Sequence, residues 1–330
     1  MQPDIESQAQ DLLHNKFGIK GNLFGFQEEC IMRIVKDRLD TFCIRKTGAG
    51  KSLCYQIPAL MFKHYTVVIS PITALIDDQV EALRKKGIDA QAFYFGNPAD
   101  EDREDIETSF IEGKNQTKFI YTTPETFRSR ADSFFSKLKI SLLVIDEAQD
   151  MGVDDFHLIQ ALMQQNEEMR VIAVGDDDQN IYAFRGSDSK YMQSLLSQEG
   201  SKLYEMTDNY RSSKAVVDCA NRFVQRISGR MKNTSIHSVT GEDGKVMALK
   251  SLFDAEIKVQ GSTAILTRTN EETMQVAYEL EQRGIYATIV QSMGGFRFGN
   301  LVDFLFYGIF VVTFSCNSHL NQRSYRNIFI

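Results

Sequence analysis

Short, wholly apolar runs that alternate with helical stretches constrain the fold of this 330-residue chain more than any other feature. Strands buried on both faces of a sheet have continuous apolar sequences, whereas half-exposed strands alternate apolar and polar residues. Strands that alternate with helical segments pair in parallel. The sequence therefore predicts an α/β fold, in which a parallel sheet carries helices on both faces. The runs lie in DTFCIRK, YTVVIS, FIYTTPE, ISLLVIDE and MRVIAVGD.

Polar clusters follow these runs, and their position predicts where a ligand binds. In open parallel sheets, ligands bind beyond the carboxyl ends of the strands. Each cluster comes directly after a predicted strand, so we expect the clusters to meet at one edge of the sheet. The clusters are TGAGKS, SPIT, TTPE, DEAQD and GDDDQ.

Composition indicates a globular protein of the cytoplasm. Hydrophobic residues make up 43% of the chain and charged residues 25%, which is ordinary for a chain with a sizeable core. The net charge of −7 argues against nucleic acid as a partner only weakly, because the local potential of a groove matters more than the total. The cysteines form no C-x-x-C pair, so we expect no zinc or iron–sulfur site, and scattered cysteines fit a reducing compartment. The most apolar window, Leu301 to Phe314, is too short to span a bilayer.

The pattern along the chain predicts three regions. Residues 1–200 contain the five apolar runs and the clusters that follow them. Residues 201–300 contain a polar stretch, then a predicted strand in STAILTRTN and an amphipathic helix in EETMQVAYELEQRG, which indicate part of a second α/β domain. Residues 301–330 form an atypical tail without a clear element.

The segment TGAGKS follows a predicted strand and opens a predicted helix, which is the context that a phosphate-binding loop requires. Its glycines let backbone N–H groups approach phosphate oxygens. In this interpretation Lys51 reaches the β- and γ-phosphates and Ser52 is a Mg²⁺ ligand. Arg45 replaces the first glycine of the strict pattern, and the alternative is a glycine-rich turn with an exposed lysine. The nucleotide-binding candidates in this loop are Thr47, Gly48, Ala49, Gly50, Lys51 and Ser52.

The segment VIDEAQD supplies acidic partners for this loop at the end of another apolar run. Asp146 would hold Mg²⁺ through water, and Glu147 would orient and deprotonate the attacking water. Phosphoryl transfer needs a phosphate cradle, a metal holder and a group that positions the nucleophile. The alternative is an acidic surface turn. Together the two segments predict hydrolysis of a nucleoside triphosphate.

The segment VGDDDQNIYAFRGSD brings an amide, aromatic rings and a guanidinium together after a predicted strand. Gln179 would contact the γ-phosphate or its attacking water. Tyr182 and Phe184 would stack on bases of a nucleic acid strand, because every base has a π-face. Arg185 would bridge the loop to a neighbouring domain. The alternative places each aromatic ring in the core.

The segment NYRSS adds an arginine and a tyrosine beyond the first domain. Arg211 would act as an arginine finger in cis on the γ-phosphate. Tyr210 would stack on the base of ATP. The alternative is a surface arginine at a helix N-terminus.

The front third resembles the RecQ family of DNA helicases in FGFQEECI, TGAGKSLCYQIPA, VISPITALIDDQV and YTTPE. The resemblance implies that Gln27 reads the adenine of ATP. It also implies that four hydroxyl residues lie near the DNA backbone. One departure is that Leu23 and Phe24 stand where the family usually has Phe-Arg. The four hydroxyl residues are Ser70, Thr73, Thr122 and Thr123.

The middle of the chain resembles the UvrD/Rep helicase family in VIDEAQD, VGDDDQNIYAFRG and DNYRSSKAVVDCANRF. The resemblance implies a RecA-like P-loop NTPase fold, use of ATP with Mg²⁺, and movement from 3′ to 5′ on single-stranded DNA. The zinc region of RecQ proteins and two downstream UvrD-like motifs are not found, and no expected pattern follows Phe298. We therefore expect a truncated or frame-shifted gene product.

Three hypotheses for the function follow from these motifs. The first is an ATP-dependent DNA helicase that moves along single-stranded DNA and unwinds duplex. The second is a truncated module that binds ATP and single-stranded DNA without productive unwinding. The third is a small-molecule P-loop kinase, which leaves GDDDQNIYAFRG and NYRSS without a role.

Overall fold

The computed structural model divides the chain into two compact units, Met1–Val246 and Met247–Ile330. Each unit is described by itself, and the predicted division at residues 200 and 300 stays a prediction. The structure describes residues 4–44, 50–96, 103–180, 186–197, 201–205, 207–227, 230, 234–248, 264–267, 269–285, 287 and 289.

A seven-stranded sheet forms the centre of the first unit, in the order β3-β4-β2-β5-β6-β1-β7. Every neighbouring pair is parallel, which confirms the predicted parallel sheet. A separate pair, β8 and β9, is also parallel. The strands are β1 (Thr41–Ile44), β2 (Tyr65–Ile69), β3 (Ala90–Ala92), β4 (Phe119–Thr122), β5 (Ile140–Asp146), β6 (Arg170–Gly175), β7 (Lys202–Glu205), β8 (Asp208–Asn209) and β9 (His237–Ser238).

The five apolar runs correspond to β1, β2, β4, β5 and β6, while the two edge strands were not predicted. β3 has only three residues with a central Gln91, and β7 carries Lys202 and Glu205 at its ends. Edge strands are short and polar because one side of each has no neighbouring strand to cover it. β7 pairs with β1, so the sheet of the first unit extends beyond residue 200.

Helices cover both faces of this sheet. Along β5, Leu142 and Val144 pack into one core cluster, while Leu143 and Ile145 pack into the other. The first cluster contains side chains from α1 to α4, and the second contains side chains from α5 to α8. Burial of each such aliphatic side chain contributes about 1.5–3 kcal/mol. The helices are α1 (Ile5–Asn15), α2 (Gly25–Val35), α3 (Leu53–Met61), α4 (Thr73–Arg84), α5 (Arg103–Ile111), α6 (Pro124–Ser129), α7 (Val153–Gln165), α8 (Ser189–Leu196), α9 (Lys214–Val224) and α10 (Asn270–Gln282).

The second unit contains the predicted amphipathic helix as α10. Thr269 caps it, because its hydroxyl accepts the Glu272 N–H while the Glu272 carboxylate accepts the Thr269 N–H. Leu280 is buried against a small apolar cluster. A strand was predicted in STAILTRTN. Its residues 264–267 form no strand in the structure and belong to neither of the sheets formed by the described residues. The tail at 301–330 lies outside the described residues.

No helix within the described part of the chain has the length and apolar character needed to cross a membrane.

Candidate functional site

Three loops that carry predicted site residues leave neighbouring strands at the carboxyl edge of the sheet. β5, β6 and β1 are adjacent, and their last residues are in register. Asp146 at the end of β5 pairs with Val174, and Ile44 at the end of β1 pairs with Gly175. The parallel arrangement therefore brings residues 50–52 of the phosphate loop, DEAQD and GDDDQ to the same edge of the sheet.

Lys51 of the phosphate loop is buried beside the acidic strand end. It is 8% exposed, so the alternative of an exposed lysine does not hold in this structure. Its Nζ has no hydrogen-bond partner among the described residues, and its charge acts on Asp146. Ser52 lies at the N-cap of α3 and is half-buried. Thr47, Gly48 and Ala49 lie outside the described residues.

Gln27 holds the phosphate loop from α2. Its Oε1 accepts the Phe24 N–H at 2.9 Å, and its Nε2 donates to the Gly50 carbonyl at 3.0 Å. Gly50 has φ +75°, and a Cβ there would lie 2.6 Å from Gln27 Nε2. Only glycine combines this positive φ with a backbone that lies so close to the Gln27 side chain. Among the described residues the Gln27 amide makes no other hydrogen bond, so one N–H and one lone pair remain unused.

Two exposed aromatic rings stack near Gln27. The centroids of Phe24 and Tyr210 are 5.8 Å apart with an angle of 21° between the planes. Asn209 shapes the Tyr210 turn, because its Oδ1 accepts the N–H groups of Arg211 and Ser212. Arg211 is exposed at the surface. Phe24 was noted only as a departure from the RecQ motif, and the sequence did not predict its contact with Tyr210.

Asp146 is almost completely buried, and burial raises its pKa to about 6. The Lys51 ammonium opposes this rise, whereas the neighbouring Glu147 carboxylate adds to it. Gln79 Nε2 approaches Asp146 Oδ2 at 3.4 Å, a long contact, and Tyr55 donates to Gln79 Oε1 at 2.7 Å. Lys51 and Asp146 therefore place one positive and one negative group beside each other at the end of β5.

Glu147 has a left-handed backbone, with φ 54° and ψ 48°. This conformation costs a non-glycine residue about 1–3 kcal/mol and is concentrated at functional sites. Gln149 Nε2 donates to Glu147 Oε2 at 2.8 Å and so fixes the carboxylate. A cavity of about 30 Å³ touches Asp146, Glu147 and Asp150, and apolar side chains such as Ile69, Pro71 and Ile159 form most of the rest of its lining. Burial, and then the Glu147 charge, raise the pKa of Asp150 to about 6.

Gln149 also joins the DEAQD loop to the GDDDQ loop. Its Oε1 accepts the Asp176 N–H at 2.9 Å, and its carbonyl accepts from Asn180 Nδ2 at 2.9 Å. A Cβ on Gly175 would lie 2.5 Å from Gln149 Oε1 and 3.1 Å from the Ala148 nitrogen. The close approach of the two loops therefore requires glycine at 175. Gln149 was inside the quoted motif but received no role from the sequence.

The GDDDQ loop is held from both sides. Gln179 is exposed, and its Nε2 donates to Asp176 Oδ2 at 2.5 Å. Arg230 forms a bidentate pair with Asp178, with Nε and a terminal nitrogen at 2.6 and 2.9 Å from the two oxygens. Asp178 is the first cause of the raised pKa of Arg230. Arg230 lies in a polar stretch without a motif, so the sequence had no signal for it. Tyr182, Phe184 and Arg185 lie outside the described residues.

The four residues expected near the DNA backbone differ in exposure. Ser70, Thr122 and Thr123 are buried, whereas Thr73 is exposed at the start of α4. Thr123 caps α6 by accepting the Thr126 N–H at 3.3 Å. Ser70 Oγ is buried without a hydrogen-bond partner among the described residues. In this conformation Thr73 is the member of the set whose side chain reaches solvent.

Three cysteines that are distant in the sequence meet behind the phosphate loop. The sulfur atoms of Cys30, Cys43 and Cys54 lie within 4.8 Å of one another, and all three residues are completely buried. Hydrogen bonding with Cys30 and Cys43, together with burial, raises the pKa of Cys54 well above its usual range. The Cys54 thiol therefore stays protonated, and the three buried residues join α2, β1 and α3.

Two helicase family models match successive parts of the chain. The DEAD/DEAH box helicase model matches residues 24–175, and the UvrD-like helicase C-terminal domain model matches residues 204–308. The first match runs through VIDEAQD to Gly175, further than the RecQ-like third that the sequence analysis identified. The second begins before NYRSS and includes α10.

Curated relatives agree with the first match. The chain is 36% identical over 150 residues to "ATP-dependent DNA helicase Q5" of Rattus norvegicus, and 39% identical over 142 residues to "ATP-dependent DNA helicase RecQ" of Bacillus subtilis. The matched regions cover 44% and 43% of this chain. They cover 15% and 23% of the relatives, so the chain spans less than a quarter of either protein.

The fold is similar to that of a solved helicase. The crystal structure of the DUF1998 helicase MrfA matches 86% of this chain and 42% of its own chain, with a TM-score of 0.51 and 17% identity. This similarity concerns the fold alone. The expected resemblance to two kinds of helicase is confirmed: residues 24–175 match the DEAD/DEAH box helicase model in a region similar to RecQ helicases, and residues 204–308 match the UvrD-like helicase C-terminal domain model.

Proposed function

We propose that the chain is an ATP-dependent motor that moves on single-stranded DNA and unwinds duplex DNA. The observation that carries the proposal is the convergence of Lys51, Asp146 and Glu147 at the carboxyl edge of the sheet. The relatives' printed names describe ATP-dependent DNA helicases, which supports the same class of activity.

ATP would bind across the phosphate loop. A buried ammonium without a hydrogen-bond partner is costly, and a phosphate oxygen would satisfy it. Residues 47–50 would supply backbone N–H groups to the phosphates. The base would contact the remaining N–H and lone pair of Gln27, and the exposed faces of Phe24 and Tyr210 would stack on it. Stacking on aromatic side chains suits any nucleobase.

The residues present also fit a magnesium ion. Ser52 and Asp146 offer the hydroxyl and carboxylate oxygens that Mg²⁺ prefers, and they would hold it beside Lys51. When bound, the ion neutralises charge on the phosphates. The pKa of Asp146 is raised to about 6, so this carboxylate is mostly ionised at neutral pH and able to bind a cation.

Glu147 would act as the general base for hydrolysis. The attacking water would lie against Glu147, whose carboxylate the hydrogen bond from Gln149 keeps in place. The proton would move from that water to Glu147 as the water attacks the γ-phosphate. Gln179 would exchange its bond to Asp176 for one to the γ-phosphate or the water. Arg211 would stabilise the negative charge that develops in the transition state.

Gln149 suggests how hydrolysis is coupled to DNA. It bonds to Glu147 on one side and to the GDDDQ loop on the other, so movement at the γ-phosphate is transmitted to that loop. Tyr182 and Phe184 would stack on the bases, and Arg185 would link the loop to a neighbouring domain. The second set, Ser70, Thr73, Thr122 and Thr123, would lie along the backbone. The 3′ to 5′ direction rests on the family resemblance.

One observation favours a second candidate, a module that binds ATP and single-stranded DNA without unwinding. The Gln179 amide is bonded to Asp176 rather than directed toward Lys51 or Glu147. If this bond persists in the presence of ATP, the γ-phosphate lacks one of its contacts and turnover stays slow.

The test is ATP hydrolysis by the purified chain, with and without a single-stranded oligonucleotide, beside Glu147→Gln. The matched control is Glu112→Gln, which makes the same change at an exposed position on the surface. We expect turnover that DNA stimulates, that is lost in Glu147→Gln and that persists in Glu112→Gln. Turnover retained in Glu147→Gln would contradict the proposal. ATP and DNA binding without turnover in the unmodified chain would support the second candidate.

A further inference from the structure

A groove of about 570 Å³ lies at the amino edge of the sheet, where β2, β5 and β6 begin. β5 is seven residues long, so this edge is about 20 Å from the carboxyl edge. The volume is within the range of small-ligand and peptide pockets. None of the motifs identified in the sequence contributes to it. The described residues that line it are Arg38, Phe62–His64, Phe135–Ser141, Leu162, Gln165, Asn166, Glu168 and Met169.

The floor of this groove is apolar. Phe135 is completely buried, and Leu138, Leu162 and Met169 are each at most 6% exposed. These side chains belong to the core cluster that α7 forms on one face of the sheet. The groove is thus a place where the core approaches the surface, and an apolar side chain inserted there would extend the core.

The rim of the groove is basic. Lys63, Lys137 and Lys139 are exposed, and no carboxylate among the described residues forms an ion pair with them. Glu168 is the acidic residue of the described lining, and it is paired with Arg38 at 3.0 Å. Three unpaired cations therefore surround an apolar floor in a chain whose net charge is −7.

The charges at the rim repel one another. Burial, and then the charges of Lys63, Lys139 and Lys118, lower the pKa of His64. Burial also lowers the pKa of Lys118 to about 8, and its Nζ donates to the His64 carbonyl at 2.7 Å. An anionic occupant would reverse the repulsion, because a nearby negative charge favours the protonated forms.

Arg38 is held in a left-handed conformation at the groove, with φ 55°. Among the described non-glycine residues, only Arg38 and Glu147 have a positive φ. Arg170 donates to the Arg38 carbonyl at 3.0 Å, and Arg38 donates to the Glu168 carbonyl at 2.7 Å. Its guanidinium also lies 5.1 Å from the Phe62 ring centroid. These contacts hold Arg38 in the left-handed conformation. Strained residues of this kind are concentrated at active sites and ligand-binding sites.

We propose that this groove is a docking surface for an acidic peptide segment of a partner protein, one that carries apolar side chains between its carboxylates. The carboxylates would contact the lysines of the rim, and the apolar side chains would cover the floor. Charge complementarity of this kind sets specificity and association rate. The proposal is independent of the nucleotide site.

A nucleic acid strand fits the groove less well. Its phosphates could contact the rim, but they would leave the apolar floor uncovered. The bases would also lack an exposed ring face for stacking, because Phe135 is completely buried and Arg38 lies over the Phe62 ring. An aliphatic side chain of a peptide needs only the parts of Leu138, Leu162 and Met169 that reach the surface. The observations therefore favour a peptide, and binding of nucleic acid becomes an outcome of the test.

The test uses the full chain and a fluorescent nine-residue peptide with three Glu-Glu-Leu repeats. Fluorescence anisotropy is measured at low salt, where charge contacts are least screened. We expect saturable binding that weakens about tenfold in Lys63→Glu/Lys139→Glu, since two charge contacts become repulsive. The matched control is Lys85→Glu/Lys86→Glu, which reverses two exposed lysines at the end of α4 and should bind as the unmodified chain does.

Two altered peptides separate charge from apolar contact without changing the protein. Replacing every glutamate by glutamine should abolish binding, and replacing every leucine by serine should weaken it about tenfold. A second readout is the His64 pKa, which should rise when the glutamate peptide binds. The proposal is overturned if the glutamine peptide binds equally well. It is also overturned if Lys63→Glu/Lys139→Glu weakens binding of an oligothymidine strand as much as binding of the peptide.

Discussion

The two edges of one sheet differ in charge and in how the sequence encodes them. The carboxyl edge gathers carboxylates around Lys51, and burial raises the pKa values of Asp146 and Asp150 to about 6. The amino edge gathers lysines around His64, whose pKa is lowered. Each edge contains one strained residue, Glu147 or Arg38. The same β5 strand thus separates an acidic site that we propose for catalysis from a basic surface that we propose for docking.

This difference follows from the parallel arrangement. Loops after the strands meet at one edge and turns before the strands meet at the other. The motif residues follow β1, β5 and β6, so they are concentrated at the first edge. The basic residues precede β2 and β5, so they are concentrated at the second. Substitutions at one edge should therefore leave the properties of the other edge unchanged.

The largest effect is expected at the link between the two loops of the carboxyl edge. Gln149→Leu removes the bond to the Glu147 carboxylate and the bond from the Asp176 N–H. We expect unfolding free energy to fall by about 1–3 kcal/mol and turnover to fall about 10- to 100-fold. Urea unfolding and steady-state ATP hydrolysis measure these changes.

Peptide binding at the amino edge should not change in the folded Gln149→Leu protein. Gln164→Leu, which makes the same change at an exposed position outside the groove, is the control for stability and turnover. Full turnover in Gln149→Leu would show that Gln149 does not position Glu147.

The next effect concerns the pH dependence of stability. Burial favours the uncharged form of Asp146, so the folded protein binds this proton more tightly than the unfolded chain, where the pKa is near 3.8. The stabilisation is complete below pH 4 and is lost as the pH rises through about 6. Asp146→Asn should therefore raise the unfolding free energy at pH 7 by about 1–3 kcal/mol relative to the unmodified chain. Urea unfolding at pH 4.5 and pH 7 checks this.

The pH result also tests the raised pKa of the carboxyl edge directly. The variant should keep the smaller contribution from Asp150, whose pKa is raised for the same reason. Asp154→Asn, on an exposed part of α7, is the control and should keep the full pH dependence. Equal stability of Asp146→Asn and the unmodified chain at pH 7 would mean that burial of the charge costs little.

A smaller effect is expected where Arg230 holds the GDDDQ loop. Arg230→Met removes the bidentate pair and leaves the largely buried Asp178 carboxylate without it. We expect a loss of about 1–2 kcal/mol of unfolding free energy and weaker DNA stimulation of ATP hydrolysis. Arg230→Lys should restore part of the stability and part of the DNA stimulation, because lysine supplies a positive charge but cannot form the bidentate pair. Normal DNA stimulation in Arg230→Met would mean that the Arg230–Asp178 pair stabilises the fold without affecting the response to DNA.

The smallest effect is expected at the amino edge. Lys63→Ala removes the first-named charge acting on His64, so the pKa of His64 should rise. NMR titration of the histidine ring measures this shift. Lys85→Ala changes an exposed lysine that is not among the charges acting on His64, so it should leave this pKa unchanged. An unchanged His64 in Lys63→Ala would mean that burial alone lowers its pKa.

The sequence predicted the central strands and the composition of the carboxyl edge because both depend on local patterns. Continuous apolar runs identified β1, β2, β4, β5 and β6, and TGAGKS, DEAQD and GDDDQ marked the loops that follow three of them. Because the strands pair in parallel, all three loops lie at the carboxyl edge of the sheet. The edge strands β3 and β7 lack such a pattern, since their sequences, AQA and KLYE, are short and partly polar.

Contacts between distant residues could not be predicted in this way. Phe24 and Tyr210 stack across 186 positions of the chain, and Arg230 meets Asp178 from a loop without a motif. The burial of Ser70 also depends on packing that a motif does not reveal. The basic groove is built from turns that precede strands, where no sequence pattern was available.

The most direct test of the nucleotide site compares one substitution made at each edge. Affinity for a fluorescent ATP analogue is titrated with the unmodified chain, Lys51→Ala and Lys63→Ala, after circular dichroism has verified the fold of each protein. The account predicts at least about 100-fold weaker binding in Lys51→Ala, because charge-assisted bonds to phosphate are lost, and an unchanged affinity in Lys63→Ala. Unchanged affinity in Lys51→Ala, or an equal loss in both variants, would contradict a nucleotide site at the carboxyl edge.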